Sequence, residues 1–457
     1  MSLGLPRTAR VASLILFSFF GLALGECGTI VPHTDYDEGS GGPNFPAANV
    51  SDCGVLCVSA GAATCWAAVY SDTGCWFKTS AQTAAGVFNE KCTACWPAGR
   101  VPPPAPSPPA PPPPPRYKVT VVSRPNEPVI SYLAGSTPWP QSFNPAFVEA
   151  SAGTGGKRGL LVRSQNCTGW APGQCIRCNV DADHPIAPWF PGSILSFAEQ
   201  RTDGSFETPY LVFAPNASAP VDEDYGTEDP RLTLDKTTGL YHLFYTCYSK
   251  ANGPRLCHAT TRDPTAPIEA AAWTRLGDVF PGAPSGAKSA ALLLRASPPH
   301  YLIWGAGEIH LAVSNDLVNF TTVNTSYIAV RPDSFDNVLV ESGPNPLLLS
   351  DGNYIFFHNS ANSTNECYNA EHAIIDGADP SVVVERAATP LLSPTHDWEL
   401  GDAPAECNVG CVVFLEAVAP VDGLVDTFDV WFGGSDAVVG TARVHVQVPA
   451  AKNIGAI

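Results

Sequence analysis

The sequence has one methionine in 457 residues and no long stretch of helical periodicity. An all-helical fold is excluded on that ground. Positive charge is scarce: 25 Lys and Arg stand against 43 Asp and Glu, a net charge of −18. This argues against nucleic acid or an anionic membrane surface as the main partner, and is compatible with a neutral substrate such as a carbohydrate. No apolar run reaches the length that a bilayer span usually needs. There is no G-x-S-x-G elbow and no phosphate-cradling glycine loop, and the ten histidines show no metal-ligand spacing. No cofactor or metal is expected.

Turn residues are abundant: 45 prolines and 39 glycines point to a turn-rich β protein. Residues 1–25 read as a secretory signal, with Arg7 and Arg10 ahead of VASLILFSFFGLAL and small residues Ala23 and Gly25 before Glu26. An uncleaved anchor is the alternative. Fifteen cysteines and six Asn-x-Ser/Thr sequons, at Asn49, Asn166, Asn216, Asn319, Asn324 and Asn362, agree with export and an extracellular location. Cys92-x-x-Cys95 and Cys175-x-x-Cys178 raise zinc as a rival to disulfides, but each lacks a second pair.

Residues 101–115, VPPPAPSPPAPPPPP, form a stiff polyproline spacer. We therefore divide the chain into a signal (1–25), a cysteine-rich module (26–97), a proline-rich linker (98–116) and a large domain (117–457). The module carries Cys27, Cys53, Cys57, Cys65, Cys75, Cys92 and Cys95. This pattern resembles a PAN/apple module. The resemblance implies pairs Cys53–Cys75 and Cys57–Cys65, with Cys27 joined to Cys92 or Cys95. It also implies a small α+β fold that binds an extracellular protein or polysaccharide.

The large domain shows a weak repeat in which an aromatic or aliphatic strand is followed by a polar turn. Its copies are RGLLVRSQ (158–165), GLYHLFYTCYS (239–249), PHYLIWGAGE (299–308), DGNYIFFHNS (351–360) and TFDVWFGGSD (427–436). Five copies predict an all-β, five-bladed β-propeller, with a β-sandwich pair as the alternative. Cys247 and Cys257 flank a short hairpin and are expected to bridge it. Cys167, Cys175 and Cys178 lie in an insertion. Cys407 and Cys411 could form a local bridge or pair with that insertion.

Within YGTEDPRLT (225–233), Glu228, Asp229 and Arg231 crowd the start of a strand. Glycosidic cleavage needs a protonated group near the leaving oxygen and a nucleophile on the other face. Asp229 is the candidate acid. Glu228 would raise its pKa by like charge, and Arg231 could hold one carboxylate in a forked pair. A surface turn with a local ion pair is the plainer reading.

FNPAFVEA (143–150), LLVRSQN (160–166), GTEDPRLT (226–233), LAVSNDLVNF (311–320), ESGPNPLLLSDGNYIFFHN (341–359), DPSVVVERAATPLLSPTHDWE (379–399) and VWFGGSDAVVGTARV (430–444) follow one another in this order. The ordered set resembles glycoside hydrolase family 130, the β-mannoside phosphorylases and β-mannosidases. The resemblance implies that Asp229 is the proton donor, acting through a sugar hydroxyl. It also implies that Asn144, Arg163 and Asp436 contact the sugar. Lys288 and His358 match a family lysine and histidine of the phosphate site. This chain departs from that site: Asn359 replaces a glycine, LIWGAGE (302–308) brings Trp304 where an arginine is usual, and Glu341 stands where a basic residue is common. A site richer in carboxylate suits water, with Glu341 or Glu308 as the base of an inverting hydrolysis. The expectation is a secreted β-mannoside hydrolase acting on an oligosaccharide. Phosphorolysis on the same scaffold and a non-catalytic glycan- or protein-binding propeller are the alternatives. Trp304, Phe357 and Trp431 could stack on sugar faces or be core.

Overall fold

A computed structural model describes residues 116–133, 139–165, 192–283, 287–364, 367–400 and 410–449 in full. Of residues 1–115 it describes five strands by their backbone alone. The signal, the linker, the cysteine pairs of the N-terminal module and the 167–178 insertion lie outside the described residues, as does Cys407. The chain divides into Met1–Pro113 and Pro114–Ile457. In the first unit, β1 (Cys27–Asp35), β2 (Asn44–Phe45), β3 (Ala67–Ser71), β4 (Gly74–Lys78) and β5 (Val87–Pro97) form one sheet in the order β1-β5-β3-β4-β2.

The second unit is a five-bladed β-propeller. Blade one comprises β7 (Gln141–Val148), β8 (Gly159–Gln165), β9 (Ile194–Glu199) and β10 (Tyr210–Phe213). Blade two comprises β11 (Gly226–Asp235), β12 (Leu240–Ser249), β13 (Gly253–Thr261) and β14 (Thr274–Asp278). Blade three comprises β15 (Ala290–Leu293), β16 (His300–Trp304), β18 (Ile309–Ser314) and β19 (Thr321–Ile328). Blade four runs β17 (Ala306–Gly307), β20 (Leu339–Ser342), β22 (Tyr354–Ala361), β23 (Tyr368–Ile375) and β24 (Val383–Arg386), with β21 (Leu347–Leu348) also on β22. Blade five comprises β25 (Val413–Pro420), β26 (Thr427–Gly434) and β27 (Val438–Gln447), completed by β6 (Lys118–Ser123) from the start of the domain. That last strand joins the start of the domain to its end and closes the ring. The one helix among the described residues is α1 (Asp397–Leu400).

The five sequence repeats fall on the second strand of each blade, counted in blade four from β20: β8, β12, β16, β22 and β26. Their near-continuous apolar character has a packing cause. A second strand is covered on both faces by neighbouring blades, so successive side chains enter different seams. Leu243 packs between blades one and two and Phe244 between two and three. Phe356 packs between three and four, and Phe357 between four and five. Leu160 and Trp431 meet between five and one. Five apolar clusters thus fill five seams, while outer strand β19 is mostly exposed.

Of the sequons, Asn216, Asn319 and Asn324 are exposed and Asn362 is half-buried; Asn49 and Asn166 lie outside the described residues. The Cys247–Cys257 bond joins β12 to β13 as expected. Cys411 departs from expectation: its partner is Cys367, across the seam between blades four and five. Proximity of Cys407 in sequence was a poor guide because the fold returns the β22–β23 connection to the start of β25.

Candidate active site

The starts of the inner strands converge at one mouth of the central channel. The sequence there is built to break regular pairing. In β11 the register with β12 slips between Glu228 and Arg231, around Pro230, which has no N–H for the ladder. The bulge turns Asp229 to φ 47°, and its carboxylate is buried. Asn144, at a similar slip in β7 between Phe143 and Pro145, has φ 46°. Among the described residues, five of the eight non-glycine positions with positive φ lie in this constellation: Asn144, Asp229, Ser289, Ser435 and Asp436. Asn and Asp tolerate that region better than most residues, and such strain clusters at functional sites. Gly433 is required here, since a Cβ would lie 2.1 Å from Asn144 Oδ1.

The fork expected from Arg231 is supplied by Arg163 instead. Arg163 Nη1 donates to Asp229 Oδ1 at 3.0 Å and Nη2 to Glu228 Oε1 at 2.7 Å. Its Nε donates to Ser193 Oγ at 2.9 Å, and the Ser193 hydroxyl donates to Glu228 at 3.0 Å. Asn144 Nδ2 donates to Asp229 Oδ1 at 2.9 Å. Arg231 points the other way, down the axis. It donates to the carbonyls of Gly343 and Ser342, each at 2.8 Å, and of Asp229 at 3.1 Å. Its Nη1 lies 2.6 Å from Glu416 Oε1, and both side chains are fully buried. Glu416 was not singled out from the sequence. It sits in a run of apolar residues, VVFLEAVAP, and that misplaced charge was the available signal. Past this pair the channel opens at its far mouth into a cavity of about 740 Å³.

The electrostatics reverse one expectation. Burial pushes the Asp229 carboxyl up, but Arg163, Lys288, the Asn144 hydrogen bond and Arg231 outweigh it and hold it at about 2. The like charge of Glu228 does not prevail because cations crowd Asp229 more closely. Its neighbours carry the raised values. Burial, opposed by Arg163, pushes Asp436 up to about 6. Burial, with the adjoining Asp229 charge, raises Glu228. The three carboxyls share the charge of Arg163.

Lys288 stands opposite, its Nζ 2.9 Å from Glu341 Oε1. The Ser289 hydroxyl donates to the same oxygen at 2.6 Å, while Glu341 Oε2 is buried and has no hydrogen-bond partner among the described residues. The structure therefore brings Asn144, Arg163, Glu228, Asp229, Lys288, Glu341 and Asp436 together. Three candidates are elsewhere. Arg231 lies beneath the site. Glu308 is exposed in the turn between β17 and β18. His358 is fully buried beside Glu371, its Nδ1 3.2 Å from Glu371 Oε1. Alternation along β22 explains this: Asn359 turns to the backbone of Leu415 in blade five, so His358 turns to the opposite seam. Phe357 and Trp431 are core, and Trp304 stacks on Phe280 at 4.2 Å. Sequence reading missed Tyr368, whose phenol lies within electrostatic reach of Glu341, Lys288, Asp436 and Asp229.

The model of glycoside hydrolase family 130, described as beta-1,4-mannooligosaccharide phosphorylase, matches residues 201–448. A 1,2-beta-oligomannan phosphorylase of Thermoanaerobacter sp. (strain X514) is 29% identical over 226 residues, covering 49% of this chain and 69% of that protein. A beta-1,2-mannobiose phosphorylase of Listeria innocua is 26% identical over 140 residues, covering 31% of this chain and 36% of that protein. A solved structure also superposes with a TM-score of 0.56 and 25% identity, over 71% of this chain and 96% of that one. It comes from work on family 130 mannoside phosphorylases and the glycoside hydrolases among them that target beta-1,2 mannosidic linkages in Candida mannan.

The Arg231–Glu416 pair yields a stability prediction. Arg231→Leu strands a buried carboxyl and should lower unfolding stability by about 3–5 kcal/mol. Arg231→Leu/Glu416→Leu should regain part of that loss in urea unfolding. Equal loss in both variants would mean that the pair's charge is not the issue.

Proposed function

This chain belongs to glycoside hydrolase family 130, and we propose that it cleaves β-mannosidic bonds of manno-oligosaccharides, with Asp229 directing the proton to the leaving oxygen. One observation carries the reading: Asp229 is held in a left-handed bulge by Asn144 and Arg163 at the channel mouth. Such fixed geometry is what positioning a proton donor requires. In the free site Asp229 is ionised. The proton held at mildly acid pH resides on Asp436, which burial pushes up to about 6, and it reaches the leaving oxygen by way of Asp229 once substrate excludes water.

The acceptor is where relatives and site pull apart. The relatives are named as phosphorylases, which backs phosphorolysis over the hydrolysis expected from the sequence. We take transfer to phosphate as the first reading, with Lys288 as the side chain to meet the anion. Hydrolysis is the second reading, and a specific observation favours it. Lys288 is already paired with Glu341, and Arg163 with Glu228 and Asp229. A phosphate dianion would have to displace a carboxylate, whereas water would find Glu341 Oε2 without a partner.

The test is product analysis on β-1,2- and β-1,4-manno-oligosaccharides, with and without inorganic phosphate. Mannose 1-phosphate formed only with phosphate supports the first reading; phosphate-independent free mannose supports the second. No cleavage of either linkage, with oligosaccharide binding retained, would overturn both in favour of a binding propeller. The pH dependence follows from the carboxyl group. The reactive form carries the shared proton, so kcat/KM should be full below pH ~6 and fall above it, since Asp436 is pushed up to about 6. Asp436→Asn should displace that limb.

We further place the enzyme outside the cell. The leader-like start and the sequons support this, as do two disulfides within the propeller. Residues 26–97 would then engage a surface polysaccharide or protein. N-terminal mass analysis should find medium-borne protein beginning at Glu26; protein retained in cells with Met1 intact would contradict it.

A further inference from the structure

Tyr368 heads β23, the third strand outward in blade four among β20, β22 and β23. A residue so far from the axis is not expected at the channel mouth. It is brought there by the connection before it. Cys367 is bonded to Cys411 across the seam, with Cα atoms 4.8 Å apart and a sequence separation of 44. The attachment continues in the backbone: Tyr368 N–H donates to the Cys411 carbonyl at 3.0 Å, and Tyr368 pairs in parallel with Val412. Cys411 itself is held at φ 63°. The Tyr368 ring meets Phe414 edge-on at 5.6 Å, which fixes its direction. Its phenol is pushed up to about 12, by burial first and then by Glu341, against Lys288.

We propose that the Cys367–Cys411 disulfide is a positioning clamp, which ties the top of blade four to the start of blade five so that the Tyr368 phenol stands over the substrate site. The inference rests on the reading of that site as mannoside-cleaving. Tyr368 is the residue positioned; the disulfide acts only through it. Without the bond, the Tyr368–Cys411 backbone hydrogen bond and the Tyr368–Phe414 ring contact still cross the seam, but no covalent tie holds Cys367 to Cys411. A displacement of about 1 Å at such a group is enough to lower turnover by tenfold or more.

The experiment compares full-length wild type, Tyr368→Phe, Cys367→Ser/Cys411→Ser and the triple variant. Both Tyr368→Phe and the double serine variant should lose about tenfold in kcat/KM. The triple variant should be no worse than Tyr368→Phe, because the clamp has nothing left to position. Full activity in the double variant, or losses that multiply in the triple, overturns the clamp. A second readout is independent of turnover. With 3-fluorotyrosine incorporated, the Tyr368 fluorine resonance, identified by its absence in Tyr368→Phe, should shift or broaden when the disulfide is removed. An unmoved resonance overturns the proposal. If wild type cleaves no mannoside, the functional reading fails and the fluorine signal still decides the clamp. Should the double serine variant not fold, Cys367→Ala/Cys411→Ala serves in its place.

Discussion

Arg231 reaching Glu416 across the channel axis is the contact on which the site depends. A buried guanidinium and a buried carboxyl are costly to desolvate, and the pair persists because Arg231 also satisfies three backbone carbonyls. Those carbonyls belong to Asp229 in blade two and to Ser342 and Gly343 in blade four, while Glu416 belongs to blade five. One side chain therefore fixes three inner strands relative to one another at the depth of the bulge. The five apolar seams hold the blades together; this pair sets the axial position at which their polar ends meet.

Above it, charge is arranged as carboxylates around two cations. Glu228, Asp229, Asp436 and Glu341 face Arg163 and Lys288, with Arg231 and Glu416 beneath. The consequence is a division of labour set by environment. Cations hold Asp229 ionised, while burial lets Asp436 and Glu228 retain protons to higher pH. A proton can therefore be stored beside the reacting position. The same pairing makes the acceptor question physical rather than nominal. The cation that would greet phosphate is the one that Glu341 neutralises, so the relatives' chemistry and this chain's charge balance make opposite demands on Lys288.

Much of the fold was legible because packing wrote it into the sequence. A second strand clamped between two blades must be apolar on both faces, and five such runs counted the blades. Asn144, Arg163, Asp229, Lys288, Glu341 and Asp436 were legible through motifs that follow one another in order along the chain. What escaped depends on side-chain direction and long-range return. Arg231 follows a bulge, so spacing from Asp229 did not say where its guanidinium points. His358 and Asn359 differ by one residue and face opposite seams. Tyr368 and the partner of Cys411 depend on the chain coming back across a seam, which no local pattern encodes. Glu416 was visible as a charge in an apolar strand, but its meaning required knowing what faced it.

The most direct test of the central claim removes the need for a proton. Asp229→Asn should be assayed on a manno-oligosaccharide and on 2,4-dinitrophenyl β-mannoside, whose leaving group departs unprotonated. If Asp229 directs the proton, the variant loses about 10²- to 10⁴-fold on the oligosaccharide and keeps nearly wild-type turnover of the dinitrophenyl substrate. Equal loss on both would contradict the role given to Asp229 and leave it a residue that only shapes the site.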